Sequence, residues 1–172
     1  MATTFELIGS TVTVGSGGAS NIEFTSIPST YTDLVIKLSA RTTENDTSDY
    51  ALVKFNADGG SNYPYNQLYC QATNVTANRG TLTGAALVRM DGNTATASAF
   101  GSSEIYIPSY ASSLTKGGVA DGVAVTNAAN NVISLWGSSW TGTSAITTIT
   151  ITPSTGTFLQ YSTASLYGIK NS

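Results

Sequence analysis

The sequence predicts an all-β fold: one antiparallel β-sandwich of two sheets, jelly-roll-like in arrangement, over residues 1–172. Apolar and polar residues alternate with a period of two along most of the chain, and helical spacing is almost absent. Clusters of Gly, Asp, Asn, Pro and Ser separate these runs and supply the conformations that tight turns require. No linker, shift in composition or internal repeat divides the chain, which indicates a single domain.

The strands are predicted from the alternating runs, taken in chain order. The clearest runs are residues 5–8, 33–41, 49–55, 103–107, 145–152 and 164–169, within a total of about nine to eleven short strands. In the second run, Val35, Lys37, Ser39 and Arg41 are predicted to face solvent, and in the fifth run Thr147 is predicted to face inward. The residues predicted to share one core are Leu34, Ile36, Leu38, Val53, Phe55, Ile105, Ile107, Ile149 and Ile151.

Two segments lack regularly spaced apolar residues and are predicted to be long loops, residues 72–85 and 92–99. Loops of this length lie on the surface and contact partners more often than the strands that carry them. Cys70 lies just before the first segment. It is predicted to be a small, half-buried strand residue and not a reactive thiol.

Composition excludes several classes of partner. Charged residues make up 10% of the chain, against about 25% in a typical domain. The seven basic residues are scattered through an acidic chain, so no patch for nucleic acid is predicted. No apolar run reaches the ~18 residues that a membrane-spanning helix needs, and the N-terminus lacks the features of a secretion signal. Neither nucleic acid nor a membrane is a predicted partner.

The residue inventory also argues against an enzyme. The chain has no histidine and one cysteine, which excludes imidazole-based hydrolysis, Cys–His catalysis and an intrachain disulfide. A glycosidase would need two carboxylates facing each other. Glu6, Glu23 and Glu104 each fall on the polar side of an alternating run, where solvated charges are expected. We therefore predict no catalytic residues.

Two loops concentrate oxygen atoms that could bind calcium, residues 44–49 and 56–58. Neither has the spacing of a dedicated calcium-binding loop. Turns capped by Asp and Asn side chains explain both segments more simply. No metal ion or other cofactor is predicted.

Aromatic residues allow two interpretations. Tyr63, Tyr65 and Tyr69, with Trp136 and Trp140, could stack on sugar rings or pack in a protein interface. Trp136 lies in an apolar run and is predicted to be in the core or an interface. The low charge favours protein contacts, because a free protein usually keeps a more highly charged surface. The predicted partner contacts are Tyr63, Tyr65, Tyr69, Arg79, Tyr110 and Trp140, and the predicted contact loops are those around residues 63–69, 72–85 and 110–114.

Four segments carry a resemblance to a known group of proteins. They are MATTFELI at residues 1–8, IEFTSIPSTYTDL at 22–34, EIYIPSY at 104–110 and QYSTASLYGIKN at 160–171. Together they resemble small virion proteins of tailed bacteriophages, especially phages of aquatic bacteria and cyanobacteria. The likeness runs over nearly the whole chain and is weakest at residues 72–85. It implies a jelly-roll-like sandwich on the particle, without enzymatic activity.

Within that group, the resemblance implies a capsid decoration (cement) protein or a module of a tail fibre. We expect a decoration protein that binds the major capsid protein on the exterior of the virion, after synthesis in the host cytoplasm. Related cement proteins imply a homotrimer. The alternative is a tail-fibre or receptor-binding module that contacts host surface glycans. Such a module normally has an anchoring segment or a trimeric shaft, whereas here a strand is predicted a few residues from Met1 and no heptad pattern is present.

Overall fold

The computed structural model of the protein describes residues 4–127 and 131–170. These residues form thirteen β-strands and no helix, which confirms the predicted all-β class. The strands are β1 Phe5–Leu7, β2 Val12–Thr13, β3 Ile22–Phe24, β4 Asp33–Ala40, β5 Ser48–Phe55, β6 Tyr63–Gln71, β7 Asn74–Leu82, β8 Ala85–Asp91, β9 Gly101–Pro108, β10 Lys116–Ala124, β11 Val132–Trp140, β12 Ile149–Pro153 and β13 Thr163–Ile169. The first three residues of the chain and Asn171, which contribute to the resemblance, lie outside the described part.

The strands form two sheets of unequal size. The large sheet has nine strands in the order β1-β13-β4-β9-β10-β11-β6-β7, with β2 also paired to β13. The small sheet has four strands in the order β3-β12-β5-β8. Every pair of named strands is antiparallel. The predicted antiparallel sandwich is confirmed, with more strands than the sequence pattern had indicated.

The core lies between the two sheets. All nine residues predicted to share it are at most 3% exposed and belong to one buried cluster. They come from both sheets. Within each strand they occupy alternate positions, whose side chains point to the same side of the sheet. Trp136 is 1% exposed and also lies in this cluster, which confirms its core position.

Three predicted orientations are wrong. Val35 is buried because Tyr106 and Tyr167 lie directly opposite it on the neighbouring strands. Arg41 is 7% exposed because its guanidinium lies beneath the loop at residues 92–99. Thr147 is exposed and precedes β12, where its backbone N–H donates to Oδ1 of Asn56. In each case, contacts with another part of the chain override the local alternation.

The segment at residues 72–85, predicted to be a loop, mostly forms a strand. Strand β7 pairs with β6 through nine residue pairs, and only Ala72 and Thr73 connect the two strands. Ala72 has a φ of 54°, a conformation suited to such a tight turn. The prediction failed because most side chains of β7 are exposed on both faces, so the strand needs no hydrophobic alternation. The loop predicted at residues 92–99 is confirmed.

Candidate functional site

One half of the large sheet exposes a contiguous apolar surface, which we call the outer face. It is formed by alternate residues of β10, β11, β6 and β7 that point away from the small sheet. Leu135 lies opposite Leu68, and Leu68 lies opposite Ala77. Ile133 lies opposite Cys70, and Cys70 lies opposite Val75. The large apolar side chains of the outer face are Val119 at 43% exposed, Leu135 at 49%, Leu68 at 50%, Ile133 at 58% and Val75 at 74%.

The sequence of β11 explains why this surface exists. Val132 and Trp136 are buried beneath the small sheet, while Ile133 and Leu135 between them point outward. This stretch is therefore apolar on both sides of the sheet, although only one side packs in the core. Contiguous apolar surface of this kind is uncommon on monomeric proteins and marks contact sites.

The outer face has a hollow at its centre. Gly137 has no side chain, and Asn66, Leu68, Ala77 and Arg79 surround the space beside it, together with Leu135. The hollow has a volume of about 530 Å³. A second depression, of about 720 Å³, adjoins it over Gly117, Gly118 and Gly137. The glycines make this part of the face concave.

Only two charged residues occupy outer-face positions on these four strands. Asp121 lies on β10 and Arg79 on β7, so the two are at opposite sides of the face. Neither side chain forms an ion pair or hydrogen bond with another described residue. Glu104 lies directly opposite Asp121 on the neighbouring strand β9 and pairs with Lys37 of β4. The outer face thus carries one unpaired charge of each sign.

The opposite side of the β6–β7 hairpin forms a second candidate surface, which we call the hairpin shelf. It is a hollow of about 550 Å³ whose lining includes Tyr69, Gln71, Asn74 and Thr76. The guanidinium of Arg89 lies 5.3 Å from the centre of the Tyr69 ring, within cation–π distance. Burial lowers the pKa of Arg89. The shelf therefore combines an aromatic ring with amide and hydroxyl groups, and a cation lies against that ring.

Three buried polar atoms of this part of the molecule lack a hydrogen-bond partner. Gln67 lies opposite Trp136 on the neighbouring strand, and the Tyr65 ring centroid is 5.0 Å from that of Trp136. Nε2 of Gln67, Nε1 of Trp136 and Nε of Arg89 are buried without a hydrogen-bond partner among the described residues. All three are donors.

Three of the six predicted partner contacts belong to the core. Tyr63 and Tyr110 are fully buried, and Trp140 is 3% exposed. The Tyr63 hydroxyl donates to the carbonyl of Asp58 at 3.1 Å, and burial raises the pKa of Tyr63 to about 12. Nε1 of Trp140 donates to Oδ2 of Asp58 at 2.7 Å, and the Tyr110 hydroxyl donates to the carbonyl of Pro28. These side chains hold the fold together and present no surface to a partner.

The other three predicted contacts lie on the β6–β7 hairpin. Arg79 is exposed on the outer face, whereas Tyr65 and Tyr69 are half-buried on the side of the shelf. The hairpin brings them together in space but on opposite faces. Sequence reasoning missed the apolar residues of the outer face. A strand such as β11, which carries apolar residues at the buried positions and also at positions between them, is the sequence signal that could have revealed these residues.

The acidic residues form no metal centre in the described part of the chain. No three or more His, Cys, Asp or Glu side chains of residues 4–127 and 131–170 lie close enough to hold a metal ion. Oδ1 of Asp58 accepts the backbone N–H of Gly60 at 2.9 Å, which confirms the capped turn predicted there. Glu6 binds Lys170 and accepts the Tyr31 hydroxyl, and these hydrogen bonds lower the pKa of Glu6.

A search of the described residues finds no helix that is long and apolar enough to cross a membrane. No family model, curated protein or solved structure matches this chain. The resemblance to phage virion proteins stays a prediction from the sequence.

Proposed function

We propose that this protein is a non-enzymatic structural component of a phage virion, and specifically a capsid decoration protein that binds the major capsid protein on the outside of the shell. The observation that supports this proposal is the outer face, where Leu68, Leu135 and Ile133 are each about half exposed in one contiguous patch. Covering such a surface with protein releases ordered water and stabilises an assembly.

The low charge of the chain agrees with this role. Only two ion pairs occur among the described residues, Lys37 with Glu104 and Lys170 with Glu6. An assembly made by such a surface depends on apolar burial and hydrogen bonds, not on networks of opposite charges. A decoration protein of this kind would add contacts to the shell without any chemical step.

The location of the protein on the particle tests the proposal. Immunogold labelling and cryo-electron microscopy of intact virions should show the protein on the capsomers, at a regular position in the shell lattice. Density on tail appendages together with bare capsomers would contradict the decoration role. The same experiment on particles that lack the protein provides the control for antibody specificity.

The alternative function is binding of host surface glycans, and the hairpin shelf is the observation that favours it. Tyr69 offers an aromatic ring beside Gln71, Asn74 and Thr76, the combination of a flat apolar face and polar groups that suits a sugar. A glycan array should then show specific binding that Tyr69→Ala abolishes. Tyr161→Ala, at a 67% exposed tyrosine outside the shelf, is the matched control. Absence of specific binding by the wild type would exclude this alternative for the glycans tested.

A further inference from the structure

We propose that a second copy of this chain covers the outer face, through a two-fold contact in which Arg79 of each copy pairs with the partner's Asp121. This inference rests on the premise of the proposed function that protein covers the outer face in the assembled shell. It assigns that cover to a second copy, so that the pair attaches to the capsid through its remaining surface. It depends on the positions of the two unpaired charges, on the apolar residues between them and on the central hollow.

The register of the sheet fixes the positions of the two charges. One row of outer-face residues runs across the strands from Val119 through Gly137 and Asn66 to Arg79. The adjacent row runs from Asp121 through Leu135 and Leu68 to Ala77. Arg79 and Asp121 therefore lie in adjacent rows, three strand spacings apart. This separation is about 14 Å across the strands and about 7 Å along them.

A two-fold axis in the plane of the contact can exchange these two positions. The axis passes midway between Arg79 and Asp121, between strands β11 and β6. Rotation about it places Arg79 over the partner's Asp121 and, by the same operation, Asp121 over the partner's Arg79. A two-fold contact thus forms two identical pairs of Arg79 with Asp121, as expected for an interface formed by one surface with itself. Neither charge has another ion-pair partner among the described residues.

The same rotation brings apolar groups together. With the same spacings between strands and along them, the rotation places Leu135 over the partner's hollow, between the partner's Leu68 and the partner's Ala77. Leu68 lies near the axis and meets its own counterpart. The hollow, with a volume of about 530 Å³, has room for a leucine side chain because Gly137 leaves its floor open. Charge pairing and shape therefore lead to the same arrangement.

The balance of charge favours a second copy over a charged partner. A surface that recognises an acidic or basic protein carries several charges of one sign. The outer positions of β10, β11, β6 and β7 carry one positive and one negative charge, which cancel. Such a face is complementary to itself. The pair would set the orientation of the two copies, while apolar burial would supply most of the affinity.

Sedimentation velocity and light scattering over a range of concentrations test this inference on the purified protein. We expect a reversible dimer, in place of the homotrimer that the resemblance implies. Leu68→Asp should convert the dimer to a monomer, because Leu68 meets its own counterpart at the axis and the variant would bring two carboxylates together there. Leu114→Asp, at a 70% exposed leucine between β9 and β10, is the matched control and should leave the dimer intact. The four substituted positions, Leu68, Leu114, Arg79 and Asp121, are all exposed, so circular dichroism should show unchanged folding.

Charge reversal provides the decisive comparison. Arg79→Asp alone and Asp121→Arg alone should each weaken the dimer by about tenfold or more, because each brings like charges together. The double variant should restore the affinity of the wild type, since the pair is re-formed with its polarity reversed. A wild type that sediments as a monomer at all concentrations or as a trimer, or a double variant weaker than both single variants, would overturn the inference.

The outcome is separable from that of the proposed function. Protein that is found on capsomers but is monomeric in solution would refute the two-fold contact alone. Protein that forms the expected dimer but is found only on tail appendages would refute the decoration role alone.

Discussion

Charged side chains buried in the described part of the chain are held by specific hydrogen bonds. Arg41 donates to the carbonyls of Asn93, Ala95, Thr96 and Ala99, at 2.7 to 3.1 Å. These four bonds wrap the loop at residues 92–99 around one guanidinium, whose five N–H groups suit several acceptors at once. A loop without an apolar anchor thus gains a fixed conformation from a single side chain.

Replacing Arg41 tests this role. Arg41→Lys keeps the positive charge but cannot reach all four carbonyls, so we expect a loss of about 2 to 3 kcal/mol in the free energy of unfolding. Urea denaturation measures the loss, and hydrogen exchange should become faster in the loop before it does in the sheets. Lys54→Ala, at a cation with no ion pair among the described residues, should change stability by about 0.5 kcal/mol or less. Equal effects of the two variants would contradict the prediction.

A buried aspartate gives stability a predictable dependence on pH. Burial raises the pKa of Asp49, although its carboxylate accepts hydrogen bonds from the Tyr50 N–H, Ser154 and Thr42. The folded protein therefore holds this proton more tightly than the unfolded chain does. The contribution of Asp49 to stability falls as the pH rises above the ordinary value of 3.8 and through the raised pKa.

The variant Asp49→Asn should therefore gain stability relative to the wild type as the pH rises from about 3.5 to about 7. Urea denaturation at several pH values measures the difference. Asp58→Asn should behave in the opposite way, because hydrogen bonds from Trp140, Gly60 and Asn62 lower the pKa of Asp58. The contribution of the Asp58 carboxylate to stability is present above its pKa in the unfolded chain. It is lost as the pH falls through the lowered pKa of the folded protein. If the difference in the free energy of unfolding between Asp49→Asn and the wild type does not change with pH, this explanation is excluded.

Among the elements, β12 shows how alternation builds the core. It lies between β3 and β5 in the small sheet, with Ile149 and Ile151 fully buried. Thr150 and Thr152 lie on the other face and are partly exposed. The strand separates apolar from polar residues completely, so the sequence predicts its orientation correctly.

Shortening a side chain of β12 should lower stability much more on the buried face of the strand than on its partly exposed face. Ile149→Ala should lower the free energy of unfolding by about 2 to 5 kcal/mol, because it removes buried groups and leaves a cavity. Thr150→Ala, on the opposite face of the same strand, should cost about 1 kcal/mol or less. Thermal and urea denaturation measure both. Similar losses from the two variants would show that Ile149 is not packed in the core.

The β6–β7 hairpin is the element that the sequence predicts least well. Its second strand is held by backbone hydrogen bonds to β6, and the small sheet does not extend beneath it. Side chains such as Val75 and Arg79 are exposed, so the order of apolar and polar residues in this segment does not predict a strand. Both candidate surfaces use this hairpin, which is why the sequence identified only part of each.

At the scale of the whole molecule, attachment to a particle should depend weakly on salt. The chain is 10% charged, so few ion pairs can contribute to attachment, and ions screen charges but hardly affect apolar burial. Rebinding of the purified protein to stripped capsids should change by about twofold or less between low and high ionic strength. Leu68→Asp should reduce rebinding at both, because loss of the two-fold contact removes the second point of attachment of a pair. Release of the bound protein by moderate salt would contradict this prediction.

Local patterns were sufficient for the fold class and for the core. Residues such as Leu34, Phe55 and Ile149 alternate with polar neighbours, and a strand with this pattern can bury only one face. Turn-forming residues then limit the lengths of the strands. These properties depend on near neighbours in the chain, so they can be read without knowing which strands pair.

Strand pairing decided the rest, because it joins residues that are far apart in the chain. It placed Arg41 beneath the loop at residues 92–99, buried Tyr63 and Trp140 in the core, and put Leu68 beside Leu135 on an exposed surface. An apolar residue has the same local pattern whether another sheet covers it or not. The small sheet covers only one side of β10, β11 and β6, and this tertiary arrangement determines which apolar residues are left for a partner.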